Sequence, residues 1–96
     1  MTYFSAGEWT VKEGHDDEAF IQAWLASVNM NPPIEGLTVR PRLLKDLNSP
    51  GHYLSFAEWD SREAIDAFRS RPDFPDAMGR IREHADFTIY SLEPVQ

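Results

Sequence analysis

The sequence contains no cysteine, which excludes a disulfide framework, a thiolate nucleophile and any thiolate metal site. It has no apolar run near the roughly 18 residues that a membrane helix needs. Its first residues, Met1-Thr2-Tyr3-Phe4-Ser5, show neither a basic segment nor an apolar stretch of the kind that opens an export signal. A soluble, unexported, cytoplasmic protein is expected. Basic side chains are few, nine against sixteen acidic ones, for a net charge of −7. That balance repels phosphate backbones and anionic lipid, so neither nucleic acid nor membrane is expected as a partner. Glycine is scarce, at five residues, and forms no phosphate-binding loop, nucleophile elbow or dinucleotide fingerprint. The three histidines, His15, His52 and His84, have no metal-site spacing, and no metal is expected. No internal repeat or low-complexity segment is apparent.

What is present is a small chain rich in aromatics. Its 96 residues, 42% of them hydrophobic, suit one domain over residues 1–96. A domain of this length buries only about 60–68% of its unfolded surface, so association would add stability. The most informative stretch is 53–70. Leu54, Phe56 and Glu58 alternate with Tyr53, Ser55, Ala57 and Trp59, the period of a strand buried on at least one face. The period then becomes helical through Ala64, Ile65 and Phe68. Asp60 or Ser61 can cap that helix, and Glu63 stands at capping-box spacing from Asp60.

Residues 3–11 read as a first strand interrupted by Gly7, which leaves space where a side chain would project. The acidic group Asp16, Asp17 and Glu18 opens a helix at its positive end. On it Phe20, Ile21, Trp24, Leu25 and Val28 form a wide apolar face that must cover a sheet. Asn29-Met30-Asn31-Pro32-Pro33 stops the helix. Gly36 to Asp46 reads as a second strand, and Pro41 within it points to an edge or a bulge. Asn48-Ser49-Pro50-Gly51 has hairpin-turn chemistry. Arg71-Pro72-Asp73-Phe74-Pro75 breaks the second helix, a further helical piece runs to about His84, and Phe87 to Leu92 is the last strand. The order is that of an α+β, ferredoxin-like βαββαβ fold: a four-stranded antiparallel sheet with helices on one face. If the uncovered face carries Leu54 and Phe56, a second sheet is expected to pack on it, giving a homodimer through the open sheet face.

The sequence resembles the antibiotic biosynthesis monooxygenase family, dimeric α/β-barrel proteins related to haem-degrading monooxygenases. The resemblance rests on Val11-Lys12-Glu13-Gly14 with the acidic helix start and Phe20, on Glu58-Trp59-Asp60-Ser61 with Glu63-Ala64, and on Phe68, Ser70, Pro72 and Phe74. It implies a cofactor-independent monooxygenase, in which a phenolic substrate is deprotonated and reacts directly with oxygen in an apolar pocket between sheet and helices. The resemblance makes Trp59 the pocket wall. It puts Ser55 at the polar position four residues before the tryptophan, where asparagine is usual, and Ile65 where those enzymes use tyrosine. It also implies an arginine from the last helix, Arg80 or Arg82. The haem-degrading branch uses a first-strand asparagine and an axial histidine, and the matching positions here are Gly7 and Met78. On that comparison Gly7 and Ser55 enlarge a cavity beside Trp59, and no cofactor is expected.

Each candidate also has a plain structural reading. Trp59 at a strand-to-helix junction is either pocket wall or core. His52, whose imidazole titrates near neutrality, is the best-placed general base of the three histidines, or else a solvated turn residue. Arg40 and Arg42 hold an anion or guard a strand edge. Trp9 and Trp24 complete an aromatic cavity with Phe20, Phe68 and Phe87, or simply fill the core. Three functions follow: an oxygenase for an aromatic small molecule using Trp59, Ser55, His52 and Arg80; a non-catalytic dimeric binding or assembly module; and, ranking last, a haem-binding protein.

Overall fold

A computed structural model describes residues 2–30 and 33–96. Among them run β1 (Tyr3–Val11), α1 (Asp17–Val28), β2 (Leu37–Lys45), β3 (His52–Trp59), α2 (Arg62–Arg69), α3 (Phe74–Arg82) and β4 (Ala85–Leu92). The four strands form one sheet in the order β2-β3-β1-β4, antiparallel throughout. This is the expected ferredoxin-like arrangement, with its second helical region split in two.

Local chemistry explains most boundaries. Asp16 caps α1 by accepting from the Glu18 N–H at 3.1 Å, with Asp17 and Glu18 in the first turn against the positive end of the helix. At α2 the cap is Ser61, whose Oγ accepts from the Ala64 N–H at 3.1 Å, so the Asp60–Glu63 capping box does not form. In the hairpin, Asp46 Oδ1 accepts from the Asn48 N–H at 2.8 Å, and Gly51 supplies a φ of +78° that side chains disfavour. Pro41 lies in β2, which is an edge strand, where the register shifts between Leu37 and Val39 and again between Val39 and Arg42. The proline's missing donor thus falls where the ladder is already irregular. The helix stop at 29–33 is seen at Asn29, the C-cap; Asn31 and Pro32 lie outside the described residues.

Two expectations are corrected. Leu25 is exposed rather than part of the α1 core face, and Ser27 takes the buried place; it is satisfied there by donating to the Trp24 carbonyl at 2.6 Å. The last strand begins at Ala85, which is fully buried, two residues before the β-favouring run starts at Phe87.

The alternation in β3 sorts the two faces of the sheet. Tyr53, Ser55, Ala57 and Trp59 are buried on the helix side, whereas Leu54 and Phe56 are exposed on the other. Beneath the helices the core falls into two clusters. One gathers Trp9, Phe20, Trp24, Tyr53, Ala77, Met78, Ile81 and Ala85. The other holds Ala57, Trp59 and Ile65, with Phe68 and Leu37 packed on it. Phe20, Ile65 and Ile81 have no exposed surface, and burying each contributes about 1.5–3 kcal/mol.

Candidate functional site

A candidate site lies at the seam between the two clusters, and the two central strands build it from similar sequences. Tyr3-Phe4-Ser5-Ala6-Gly7-Glu8-Trp9 in β1 and Tyr53-Leu54-Ser55-Phe56-Ala57-Glu58-Trp59 in β3 share Tyr, Ser, Glu and Trp at the same spacing. This short repeat corrects the reading that none exists. The strands run antiparallel with Ser5 opposite Ala57, Ala6 opposite Phe56 and Gly7 opposite Ser55, so a local twofold axis passes through the Ala6–Phe56 pair. Each tryptophan reaches the serine of the other strand. Trp9 Nε1 donates to Ser55 Oγ at 2.9 Å, and Trp59 Nε1 donates to Ser5 Oγ at 2.9 Å.

Gly7 is part of this geometry. A Cβ there would lie 2.5 Å from Trp9 Cζ2 and 2.7 Å from its Nε1, closer than any side chain tolerates. Gly7 therefore admits the Trp9 indole rather than widening the cavity beside Trp59, as the sequence led us to expect. Trp9 is held further by Phe87, with ring centroids 4.9 Å apart, and Trp59 by Phe68 at 5.6 Å.

Between the indoles lies a cavity of about 70 Å³, roughly half of the 150 Å³ that admits benzene in a well-studied cavity. Small side chains floor it, Ser5, Ser55 and Ala57, and α1, α2 and α3 close it with Trp24, Phe68 and Met78. The indole N–H is a donor only. Both serine oxygens must therefore accept from tryptophan, and neither bond uses the serine's own hydrogen.

The four sequence candidates separate. Ser55 and Trp59 line the cavity, with 7% and 2% of their surface exposed. His52 does not line it. It lies at the start of β3, where Nδ1 meets Asp46 Oδ2 at 2.8 Å and Nε2 meets Glu8 Oε2 at 3.0 Å. The Asp46 bond, then the Glu8 bond, raises its pKa above the ordinary histidine value, and Asp46 is lowered by the same contact. Arg80 is exposed on α3 and is not among the lining residues. Arg82 stacks on Phe87 at 4.7 Å. Arg40 and Arg42 are exposed beside Val39, Leu44 and Phe56 in a shallow groove of β2 and β3. Tyr53 donates to Asp17 Oδ2 at 2.7 Å, and burial, with that carboxylate, pushes its pKa up to about 12.

Sequence reasoning left Ser5 and Arg69 out of the cavity lining and read Trp9 as an aromatic wall or core residue without its hydrogen bond. The heptapeptide repeat would have paired Ser5 and Trp9 with Ser55 and Trp59. Arg69 was legible too, because it lies four residues after Ile65, on the inward stripe of α2. Met78, which the resemblance sets at the position of the haem branch's histidine, is buried against the cavity. Among the described residues no histidine lines the cavity, so its donor set does not supply the axial histidine that haem would need.

A family model described as antibiotic biosynthesis monooxygenase matches residues 2–80. Among solved structures, the chain is similar to SnoaB from Streptomyces nogalater, described as a cofactor-independent oxygenase. They share 17% identity with a TM-score of 0.85, over 99% of this chain and 94% of that one. It is also similar to a conserved protein of unknown function from Bacteroides thetaiotaomicron, at 17% identity and a TM-score of 0.79, over 97% of each chain. A protein described as antibiotic biosynthesis monooxygenase aligns over the whole of both chains at 22% identity with a TM-score of 0.72. At these identities the likeness is one of fold. A search of curated proteins finds no match.

Proposed function

The chain belongs to the antibiotic biosynthesis monooxygenase family, and we propose from that premise that it is a cofactor-independent oxygenase acting on an aromatic, phenolic small molecule. The observation that carries the reading is the apolar cavity between Trp9 and Trp59, floored by two serine hydroxyls whose hydrogens are free for a ligand. Trp59 walls the ring, and Ser55 donates to a substrate oxygen and fixes which carbon faces the oxygen molecule. The ionised substrate supplies the electrons. For an anthrone-type CH₂ group, one oxygen atom becomes the new carbonyl, the other leaves as water with the two hydrogens, and no external reductant is consumed. His52 and Arg80 lie outside the cavity, so the reading gives them no part in this step. A ring larger than the cavity seats one edge inside it or displaces the walls.

We also propose that two copies associate through the outer sheet face. There Leu44, Leu54, Phe56, Tyr90 and Leu92 are each 37–45% exposed, a contiguous apolar face that pairing would remove from water. No helix among the described residues is long and apolar enough to cross a membrane.

A second reading, a non-catalytic binding or assembly module, is favoured by the small size of the cavity and by the indoles' fixed hydrogen bonds. One experiment separates the two. Tryptophan fluorescence is titrated with phenols and anthrones in the wild type and in Trp59→Phe, with oxygen uptake measured in parallel. Saturable quenching that Trp59→Phe weakens, together with uptake, supports the oxygenase. Absence of binding and of uptake across the panel overturns it.

A further inference from the structure

The polar side chains that line the cavity are serines, tryptophans and one arginine. Sixteen acidic residues are present in the chain, yet among the described residues no Asp or Glu lines the cavity, and no His does either. Its lining does include one cation, Arg69 of α2. The guanidinium is partly buried, and that desolvation lowers its pKa from the ordinary arginine value. Two of its bonds go to β4: Nη1 donates to Ser91 Oγ at 2.6 Å and Nη2 to the Tyr90 carbonyl at 2.8 Å. No carboxylate lies within ion-pair distance of it among the described residues. Asp66, one turn earlier, is the acid that supports its charge electrostatically. Of the five N–H groups of a guanidinium, three are left for water or a ligand.

Register brings this cation to the cavity floor. Ser91 is the cross-strand partner of Ser5, and side chains so paired stand roughly 4.5–5.5 Å apart at Cβ. Arg69 is thus bonded to the cross-strand neighbour of Ser5, and both Arg69 and Ser5 line the cavity. That hydroxyl already accepts from Trp59 Nε1, which polarises its O–H and strengthens it as a donor.

We propose that Arg69 and Ser5 form an oxyanion site, so that the cavity selects aromatic ligands in their ionised form. The proposal rests on the site described under Proposed function and narrows its substrate class to phenols acidic enough to ionise without help. The cavity has donors to hold a phenolate oxygen and no side-chain base to generate one. The proton is therefore lost to solvent before or during binding, and Arg69 is the specificity-determining residue.

The test uses 4-nitrophenol and its neutral methyl ether, 4-nitroanisole, as probes. Affinity is read by tryptophan quenching, and ionisation of bound nitrophenol by its absorbance, in the wild type and in Arg69→Met, Arg69→Lys, Ser5→Ala and Ser91→Ala. Wild type is expected to prefer nitrophenolate and to lower the apparent pKa of the bound phenol. Arg69→Met should lose about tenfold to a hundredfold in nitrophenolate affinity, the worth of one charge-assisted hydrogen bond, with nitroanisole unchanged. Arg69→Lys should keep part of the preference, Ser5→Ala should weaken it, and Ser91→Ala, which removes the bond that holds the guanidinium next to Ser5, should weaken it as well. Equal affinity of wild type for the two probes with an unshifted pKa overturns the oxyanion site and leaves the aromatic pocket standing. Parallel loss of both probes in Arg69→Met also overturns it, because the arginine is then only tying α2 to β4. Failure of wild type to bind either probe overturns pocket and oxyanion site together. If Arg69→Met does not fold, the wild-type comparison and the Arg69→Lys variant still decide.

Discussion

Replacing Gly7 by alanine tests the geometry of the cavity most directly. The new methyl would stand 2.5, 2.6 and 2.7 Å from Cζ2, Cε2 and Nε1 of Trp9, so the indole must move. Overpacking of this kind costs about 1–3 kcal/mol. If the ring swings away it also forfeits the bond to Ser55, a further ~0.5–1.5 kcal/mol. Gly7 is not among the glycines with positive φ, so alanine can take its backbone conformation and recovers about 0.4–1 kcal/mol by restricting the unfolded chain. The balance is a net loss of about 2 kcal/mol, a fall in Tm of roughly 8–16 °C for a domain of this size. Gly79 on α3 is the matched control, because nothing lies within 4 Å of a Cβ built there. Gly79→Ala should gain about 0.5–1 kcal/mol. Thermal and urea denaturation followed by circular dichroism would measure both. In Gly7→Ala/Trp9→Phe the smaller ring relieves the clash, so the double variant should lose less than the sum of its parts. A Gly7→Ala protein that melts within roughly 2 °C of wild type, or strictly additive losses in the double variant, would refute the packing argument.

Three further outcomes are expected. His52 has its pKa raised in the fold by Asp46 and then Glu8, so its contribution is complete below the unfolded histidine pKa and is lost as pH rises through the folded value. The urea midpoint should therefore decline from about pH 6.5 upward, and His52→Gln should flatten that slope; a midpoint with no pH dependence in wild type contradicts the bonding seen. Ser61→Ala should cost about 1 kcal/mol through loss of the α2 cap, and Asp60→Ala less, by equilibrium unfolding; the reverse order would restore Asp60 as the cap. Phe56→Arg, on the apolar outer face, should convert a dimer to monomers in light scattering, and an unaltered dimer would move the interface elsewhere.

The fold was legible because each boundary has a local cause within a few residues. The acidic start of α1, the turn after Asp46, the break at 71–75 and the change of period after Trp59 each act through nearby backbone groups. Pro41 marked an irregular edge for the same reason. The site was legible only in part. Ser55 and Trp59 do line the cavity, but their hydrogen-bond partners are some 50 places away in the chain, Trp9 and Ser5, and proximity across strands depends on register. His52 and Arg80 had suitable chemistry and lie outside the cavity, because β3 alternation and the α3 surface carry them away from it.

The sequence by itself determined the element order, the caps and turns, the lack of thiol chemistry and the two faces of β3. All of these follow from nearest-neighbour chemistry and periodicity. Tertiary structure alone decided that Gly7 would be covered by Trp9, and that Arg69 would be bonded to Ser91, the cross-strand partner of Ser5. It also decided that, among the described residues, no carboxylate of this acidic chain lines the cavity between the core clusters. Those outcomes depend on how two antiparallel ladders align β1 with β3 and β4, and a change of one residue in register would turn the same side chains to the opposite face.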